Sequence, residues 1–316
     1  MALAISLPLS NAEPTHAKNS VTKVVSFGDS LTDMGNFYRA TGVPPFPYWE
    51  GRVSDGPLWI EHLAAKLKIT IDPADQYGWL GSMTGNTNFR DIPEAGIYFP
   101  GFEQQIETFL EDVGSDGADP RALYSVWIGA NDVFDWLGKQ NQTPDELITT
   151  GVANTVQGII SLSNAGAKHF IVGNLPDLGI TPDAQDLGPF VAGLLSQLSC
   201  AYNAALEEQL KALEATMGIC ITRLDAFAII EQVASEPESF GLTNVTDRAI
   251  ASYPLSDPSE YLFWDGVHPT TAANEWVADF VCAALVETYS KKKSDSKGRA
   301  PLQSLNGLVR AASARN

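Results

Sequence analysis

The chain has 316 residues, of which 44% are hydrophobic and 9% aromatic, the proportions of a globular protein with a hydrophobic core. Its formal net charge of −18 argues against nucleic acid and anionic membranes as partners, because both would be repelled. No apolar run approaches the roughly 20 residues that a membrane-spanning helix needs, so we expect no integral membrane segment.

The two ends of the chain differ from its middle. Residues 1–20 start with a short apolar run but lack a basic segment, and we interpret them as a signal-peptide remnant or a disordered leader. A signal remnant would fit a secreted or periplasmic protein. Residues 290–316 form a basic tail that is expected to be disordered or left over from expression cloning. The single predicted domain is therefore 21–289.

Strand-like apolar runs alternate with helix-like periodicity along this domain. The predicted strands are Lys23–Phe27, Ile69–Ile71, Leu123–Ile128, Lys168–Val172 and Ile219–Leu224. The predicted helices are Pro57–Leu67, Glu103–Val113, Pro144–Ser163, Pro189–Met217 and Thr270–Thr288. This alternation predicts an α/β domain with helices on both faces of a parallel sheet. Its ligand site is expected beyond the carboxyl ends of the strands.

A serine follows the first predicted strand, in the segment Phe27–Asn36, which reads FGDSLTDMGN. A turn bracketed by glycines holds the Ser30 hydroxyl at the edge of the sheet, where the following helix offers backbone N–H groups to an oxyanion. The alternative is a strand-to-helix turn that carries Ser or Asp as a helix cap. These ten residues alone leave both interpretations open.

A second candidate pair lies near the C-terminal end, in the segment WDGVHPT at residues 264–270. Asp265 is spaced to hold Nδ1–H of His268 and to leave Nε2 free to accept a proton from a serine. The alternative is a surface loop in which both residues cap the next helix. His62 and His169 are expected to be structural.

Cysteine and histidine spacing gives no sign of a metal site. Cys200, Cys220 and Cys282 lack CxxC spacing, so one disulfide or three free thiols are both compatible with the sequence. The histidines are too scattered for a metal cluster. We expect neither a metal nor a cofactor.

Three blocks of the chain, taken together and in this order, resemble the GDSL (SGNH) hydrolase family: Phe27–Asn36, Gly129–Asp132 and Asp265–His268. Three further stretches are similar to segments of that family: Trp49–Pro57, Asn174–Gly179 and Phe240–Thr246. The resemblance implies a three-layer α/β/α fold, flavodoxin-like, with a five-stranded parallel sheet. It also implies a carboxylic ester hydrolase that works through an acyl-serine intermediate.

The resemblance assigns catalytic roles to three residues of the first and last blocks. Ser30 is expected to be the nucleophile, with its own backbone N–H in the oxyanion hole. His268 is expected to act as general base and then general acid, oriented by Asp265. Asp29 and Asp33 stand beside the nucleophile, but we expect them to fix the turn and to have no part in the chemistry.

The remaining oxyanion donors are less regular. Asn131 is expected to donate its side-chain amide to the oxyanion. Family members usually carry paired glycines in a segment such as NYAVGGATTGN, whereas residues 76–86 here read QYGWLGSMTGN. Leu80 replaces the first glycine of the pair. Gly81 is the predicted backbone donor, and Gly85 is the alternative.

The sequence says little about the substrate. The stiff aromatic loop Pro44–Trp49 forms either one wall of the substrate cleft or a rigid surface loop. Trp79 and Leu80 either line an acyl pocket or pack in the core. No long apolar surface is evident, so small acyl or aryl esters are the expected small-molecule substrates.

Two other functions are compatible with this resemblance. A phospholipid acyltransferase or phospholipase would use the same triad, since the exclusion of water decides where the acyl group goes. An inactive glycan- or lipid-binding relative would be expected to lack a triad or oxyanion residue. Ser30, Asn131, Asp265 and His268 are all present, which disfavours the inactive relative.

Overall fold

The computed structural model describes residues 21–295, and its centre is a sheet of four parallel strands. These are β1 (Val24–Gly28), β2 (Leu123–Trp127), β3 (His169–Gly173) and β4 (Cys220–Leu224). They lie side by side in chain order and are almost completely buried, as expected for parallel strands covered on both faces. The predicted leader, on which the expected secretion depends, and the tail beyond residue 295 lie outside the described residues.

Nine helices are present within the described residues: α1 (Asn36–Thr41), α2 (Trp59–Leu67), α3 (Phe102–Val113), α4 (Ala130–Lys139), α5 (Pro144–Ala165), α6 (Pro182–Asp186), α7 (Pro189–Met217), α8 (Ala226–Ser235) and α9 (Thr271–Asp295). One face of the sheet packs against α3, α5 and α7, and the other packs against α2, α8 and α9. Successive strand residues point to opposite faces, so Val25 belongs to the first core and Val24 to the second. The predicted three-layer α/β/α class is confirmed.

The sequence predicted a strand at Ile69–Ile71, but the structure forms no strand over these residues. The position beside β1 is occupied by residues 76–79, which make one parallel bridge, between Gln76 and Ser26. The N–H of Tyr77 donates to the Ser26 carbonyl over 2.8 Å. Asp72 caps a short 3₁₀ helix directly after Ile71, so the chain turns before it can run along β1. If this edge segment is counted as the second strand along the chain, β2, β3 and β4 become the third, fourth and fifth strands. The spatial order is then the flavodoxin-like 2-1-3-4-5.

The long helices begin close to their predicted positions, and some end later. α5 starts behind Thr143, whose side chain and that of Glu146 form a capping box. α7 has the predicted bounds and is followed by Gly218. α9 continues past the predicted helix end at Thr288 to Asp295, and Tyr289, the last residue of the predicted domain, is buried. The last packed helix is therefore longer than the domain end at residue 289 implies.

The elements that the sequence did not predict lie mostly at the carboxyl edge of the sheet. α1, α4, α6 and α8 each follow a strand end, and β5 (Asn244–Arg248) pairs in parallel with β6 (Tyr261–Phe263) outside the main sheet. β6 leads directly into the segment that carries Asp265. The order of the sheet places its topological switch point between β1 and β2, the expected location of a ligand site.

The structure also bears on the predictions for the cysteines and for membrane-spanning helices. Cys200, Cys220 and Cys282 are all free thiols in the structure. Between residues 21 and 295, no helix combines the length and the apolar character needed to cross a bilayer.

Candidate active site

Ser30, His268 and Asp265 meet at the carboxyl edge of the sheet, beside the switch point. Oγ of Ser30 lies 2.8 Å from Nε2 of His268. Nδ1 of His268 lies 2.8 Å from Oδ2 and 2.9 Å from Oδ1 of Asp265. With Nδ1–H donating to the carboxylate, Nε2 is left as the acceptor for the serine O–H. The geometry suits removal of that proton as the oxygen attacks an electrophile.

The Asp265 carboxylate is held by several donors besides His268. Oδ1 accepts the backbone N–H groups of Val267 and His268 over 3.0 and 2.8 Å, and Oδ2 accepts the Tyr48 hydroxyl over 3.0 Å. Burial would raise the pKa of this carboxyl, but the charge and hydrogen bond of His268 and the backbone donors outweigh burial and lower it to about 2. Asp265 is therefore ionised at neutral pH.

The loop that carries Asp265 and His268 is fixed by packing at both ends. The N–H of Trp264, a fully buried residue, donates to the His268 carbonyl over 2.8 Å. Gly266 lies directly against α6, where a Cβ would come within 1.8 Å of Asp183 Oδ1. The Asp183 N–H donates to the Gly266 carbonyl over 2.9 Å. Only glycine fits this close approach, which brings α6 against the loop.

Three groups at the site are placed to donate to an oxyanion. Ser30, Gly81 and Asn131 line the same cavity. Across residues 21–295, the backbone N–H groups of Ser30 and Gly81 find no acceptor. The Asn131 amide uses one N–H on the Ser82 carbonyl, 3.0 Å away, which leaves its second N–H available. Unpaired buried donors cost about 1–3 kcal/mol each, so their presence together in one cavity indicates an anion-binding site.

The segment around Gly81 is anchored by two carboxylates. Asp33 Oδ2 accepts the Leu80 N–H over 2.8 Å, while its other contacts are to backbone N–H groups of its own turn. Asp132 accepts both the N–H and the hydroxyl of Thr84, over 3.0 and 2.6 Å. Gly81 lies between these two anchors, so its N–H is held in one orientation before any ligand binds.

Gly81, and not Gly85, lies at the cavity. The backbone φ of Gly81 is +83°, and a Cβ there would approach Asn88 Oδ1 to 2.4 Å, so glycine is required. Gly85 does not line the cavity. Leu80 lines the cavity and also packs in a small core, whereas Trp79 packs beside the Phe99 ring outside the cavity.

Asp29 is a buried carboxyl group, and its surroundings differ from those of Asp265, which is partly exposed. Burial raises the pKa of Asp29 to about 7, and the Leu31 N–H, which donates to Asp29 over 3.0 Å, opposes this only in part. Within the described residues, Asp29 makes no hydrogen bond to Ser30 or His268. Its contacts match the predicted structural role in the turn.

Ser30 and His268 line a cavity of about 340 Å³, a volume within the range of small-molecule sites. Most of its lining is apolar, and α4, α8 and α9 contribute part of it: Phe134, Leu137, Ile229, Val233, Trp276 and Val277. These side chains are scattered along the sequence, and α4 and α8 were not predicted. No long apolar surface is evident in the sequence, and the apolar lining of this cavity therefore emerges only from the fold.

Residues 24–281 match the family model described as GDSL-like lipase/acylhydrolase. The chain belongs to this family. Its fold class and its activity as a serine ester hydrolase, both predicted from the sequence, are confirmed.

Several known proteins are similar to this GDSL-family chain. A thermolabile hemolysin of Vibrio parahaemolyticus is 25% identical over 284 residues, which cover 83% of this chain but only 63% of the hemolysin. A phosphatidylcholine-sterol acyltransferase of Aeromonas hydrophila is 27% identical over 331 residues, covering 86% of this chain and 92% of the acyltransferase. The crystal structure of a catalytic mutant of an acetylxylan esterase from Geobacillus stearothermophilus aligns with a TM-score of 0.48 at 16% identity, over 85% of this chain and 94% of the esterase.

The aromatic loop Pro44–Trp49 of this GDSL-family protein contacts the loop that carries Asp265 and His268, which we call the triad loop, and it does not line the cavity. Tyr48 donates to Asp265, and its ring packs edge-on against Trp264, 6.1 Å between centroids. The sequence does not reveal this contact, because Tyr48 and Asp265 are 217 positions apart. A tyrosine in a stiff loop carries no local signal of such a partner.

His62 and His169 lie away from the cavity and have structural partners, as predicted. Nε2 of His62 lies 3.1 Å from the Thr271 hydroxyl, and Nδ1 of His169 lies 2.8 Å from the Tyr289 hydroxyl. In the part of the chain that the structure describes, no group of three or more His, Cys, Asp or Glu side chains is placed to hold a metal ion.

Proposed function

We propose that this GDSL-family protein hydrolyses esters with apolar acyl chains, with Ser30 as nucleophile, His268 as base and acid, and Asp265 as the residue that orients His268. The observation that carries the proposal is the 2.8 Å contact between Ser30 Oγ and His268 Nε2 in a largely apolar cavity. The acyl chain is the part of an ester that such a lining would bind.

The reaction follows from these positions. Ser30 Oγ attacks the ester carbonyl carbon as its proton moves to Nε2 of His268, and the carbonyl oxygen becomes an oxyanion. The N–H groups of Ser30 and Gly81 and the Asn131 amide stabilise that charge. As the C–O bond breaks, His268 gives its proton to the leaving alcohol and an acyl-serine remains. A water molecule, deprotonated by His268, then releases the carboxylic acid and restores Ser30.

A panel of p-nitrophenyl esters from acetyl to palmitoyl tests the proposal. We expect kcat/KM to rise with chain length from acetyl, because each buried methylene contributes about 0.8 kcal/mol, and to level off once the cavity is filled. Each ester is assayed below its own critical micelle concentration. A preference for acetyl over all longer chains would contradict an acyl-binding role for the cavity and favour the small esters expected from the sequence.

A second candidate is transfer of the acyl group from a phospholipid to an alcohol by the same triad. It is supported by the name of the Aeromonas hydrophila relative, whose length the chain covers to 92%. Product analysis with phosphatidylcholine and a sterol discriminates the two: a sterol ester indicates transfer, and free fatty acid alone indicates hydrolysis.

We infer that Tyr48 positions the triad through its hydroxyl, because that hydroxyl donates to Asp265 Oδ2 over 3.0 Å. Tyr48→Phe removes the hydrogen bond and keeps the ring on Trp264. A hydrogen bond to a charged group is worth about 1.5–3 kcal/mol, so kcat is expected to fall by at least about tenfold with KM unchanged.

Tyr253→Phe is the matched control for this variant. Tyr253 packs on the same Trp264 ring, 5.6 Å between centroids, but its hydroxyl makes no contact with Asp265. Equal effects of the two substitutions on kcat would show that Tyr48 acts only by packing.

A further inference from the structure

The exposed large hydrophobic side chains of this protein are confined to a few segments. Within residues 21–295 they all fall in segments 38–46, 89–98, 187–190 and 253–255: Tyr38, Val43, Phe46, Phe89, Ile92, Ile97, Tyr98, Leu187, Phe190, Tyr253 and Leu255. We call this set the apolar rim. Single exposed apolar side chains are ordinary, but a set confined to one region of a surface marks an interaction site.

The segment 89–98 borders the cavity on the side of the oxyanion donors. Phe89 lines the cavity and is also 43% exposed, so it lies where the cavity meets solvent. The N–H of Phe89 donates to the Gly81 carbonyl over 2.7 Å. Ile92 and Ile97 pair across a small hairpin that carries these exposed side chains outward.

The segment 187–190 borders the cavity on the side of the triad loop. Leu187 lines the cavity and is 59% exposed, and Phe190, in the first turn of α7, is 83% exposed. The helix just before this segment, α6, is bonded to Gly266 of the triad loop through the Asp183 N–H.

Phe46 and Tyr253, from the remaining two segments, lie on the outer side of the triad loop. Phe46 packs edge-on against Tyr253, 6.1 Å between ring centroids, and Tyr253 packs against Trp264, the residue before Asp265. Leu255, two residues further on, is 94% exposed. The rim therefore meets the site from the oxyanion side, from α6 and from behind Asp265.

We propose that the apolar rim docks this enzyme on the surface of a zwitterionic phospholipid aggregate, from which an acyl chain enters the cavity. The inference rests on the proposed function, since an apolar acyl chain is presented at such surfaces. The net charge of −18 disfavours an anionic surface. Arg90, which lines the cavity and forms no ion pair among the described residues, is a cation suited to a lipid phosphate.

Vesicle sedimentation with the Ser30→Ala variant tests docking without hydrolysis. This variant is expected to sediment with phosphatidylcholine vesicles and to bind vesicles rich in phosphatidylglycerol more weakly. Adding Phe190→Ser or Leu255→Ser should weaken partitioning by about tenfold each, because each removes one side chain from apolar contact. Neither residue lines the cavity. With Ser30 present, both substitutions should leave turnover of a water-soluble butyrate ester unchanged.

Lys211→Ser is the matched control, since Lys211 is exposed near the opposite end of α7. Failure of the Ser30→Ala protein to bind phosphatidylcholine, or undiminished binding by both rim variants, would overturn the proposal. So would a dimer that the same substitutions dissociate in size-exclusion chromatography, because the rim would then join two copies of the chain. Vesicle binding without turnover of any ester would contradict the proposed function but would still support the docking surface.

Discussion

Ser30→Ala is expected to lower kcat for an ester that fits the cavity by roughly 10⁶-fold, with the fold retained. The substitution removes the hydroxyl that lies 2.8 Å from Nε2 of His268, and alanine fits where the serine side chain was. What remains is transition-state binding by the oxyanion donors, which alone is worth about 10³–10⁴ over water. Steady-state turnover and thermal unfolding measure the two parts of this prediction.

His268→Ala should cost about as much as Ser30→Ala, and the double variant should be no worse, because the two residues act as a unit. His62→Ala is the control, since His62 contacts Thr271 and does not line the cavity. A fluorophosphonate should label the wild-type protein at Ser30 and leave the Ser30→Ala variant unlabelled. Turnover retained by either triad variant would mean that another group attacks the ester.

The features of the site that could be predicted from the sequence are those carried by short local segments. Ser30 and Asn131 directly follow buried strands, and parallel strands bring their carboxyl ends to one edge. Asp265 and His268 are three residues apart, so their mutual contact depends on one turn only. In the structure, Ser30, Asn131 and His268 line the cavity and Asp265 contacts His268, and their catalytic roles remain proposals.

The features that could not be predicted depend on contacts between distant segments. The edge position beside β1 is taken by residues 76–79 because Asp72 turns the chain after Ile71, a local detail that an apolar run does not reveal. The cavity and the apolar rim each collect side chains from several segments. Tyr48 reaches Asp265 from 217 positions away. Periodicity identifies an element but not which of its residues will face such a partner.

The oxyanion site gives the second large prediction. Asn131→Ala should lower kcat by about 10²–10³ and leave KM unchanged, because the amide is needed only when negative charge develops on the substrate oxygen. A phosphonate that mimics the tetrahedral intermediate should lose affinity by a similar factor, whereas an ether analogue of the substrate, which has no carbonyl carbon for Ser30 to attack, should not.

The side chain of Asn131 also anchors the loop that carries Gly81, through the Ser82 carbonyl at 3.0 Å, so a loss of activity could arise from loop movement. Asn154→Ala separates the two causes. Asn154 anchors the same loop, donating to the Thr84 hydroxyl over 3.2 Å, but it does not line the cavity. If removal of either anchor lowers kcat equally, the amide of Asn131 acts by holding Gly81 in place. If only Asn131→Ala is impaired, its second N–H acts on the substrate itself, as the unpaired donors around Ser30 lead us to expect.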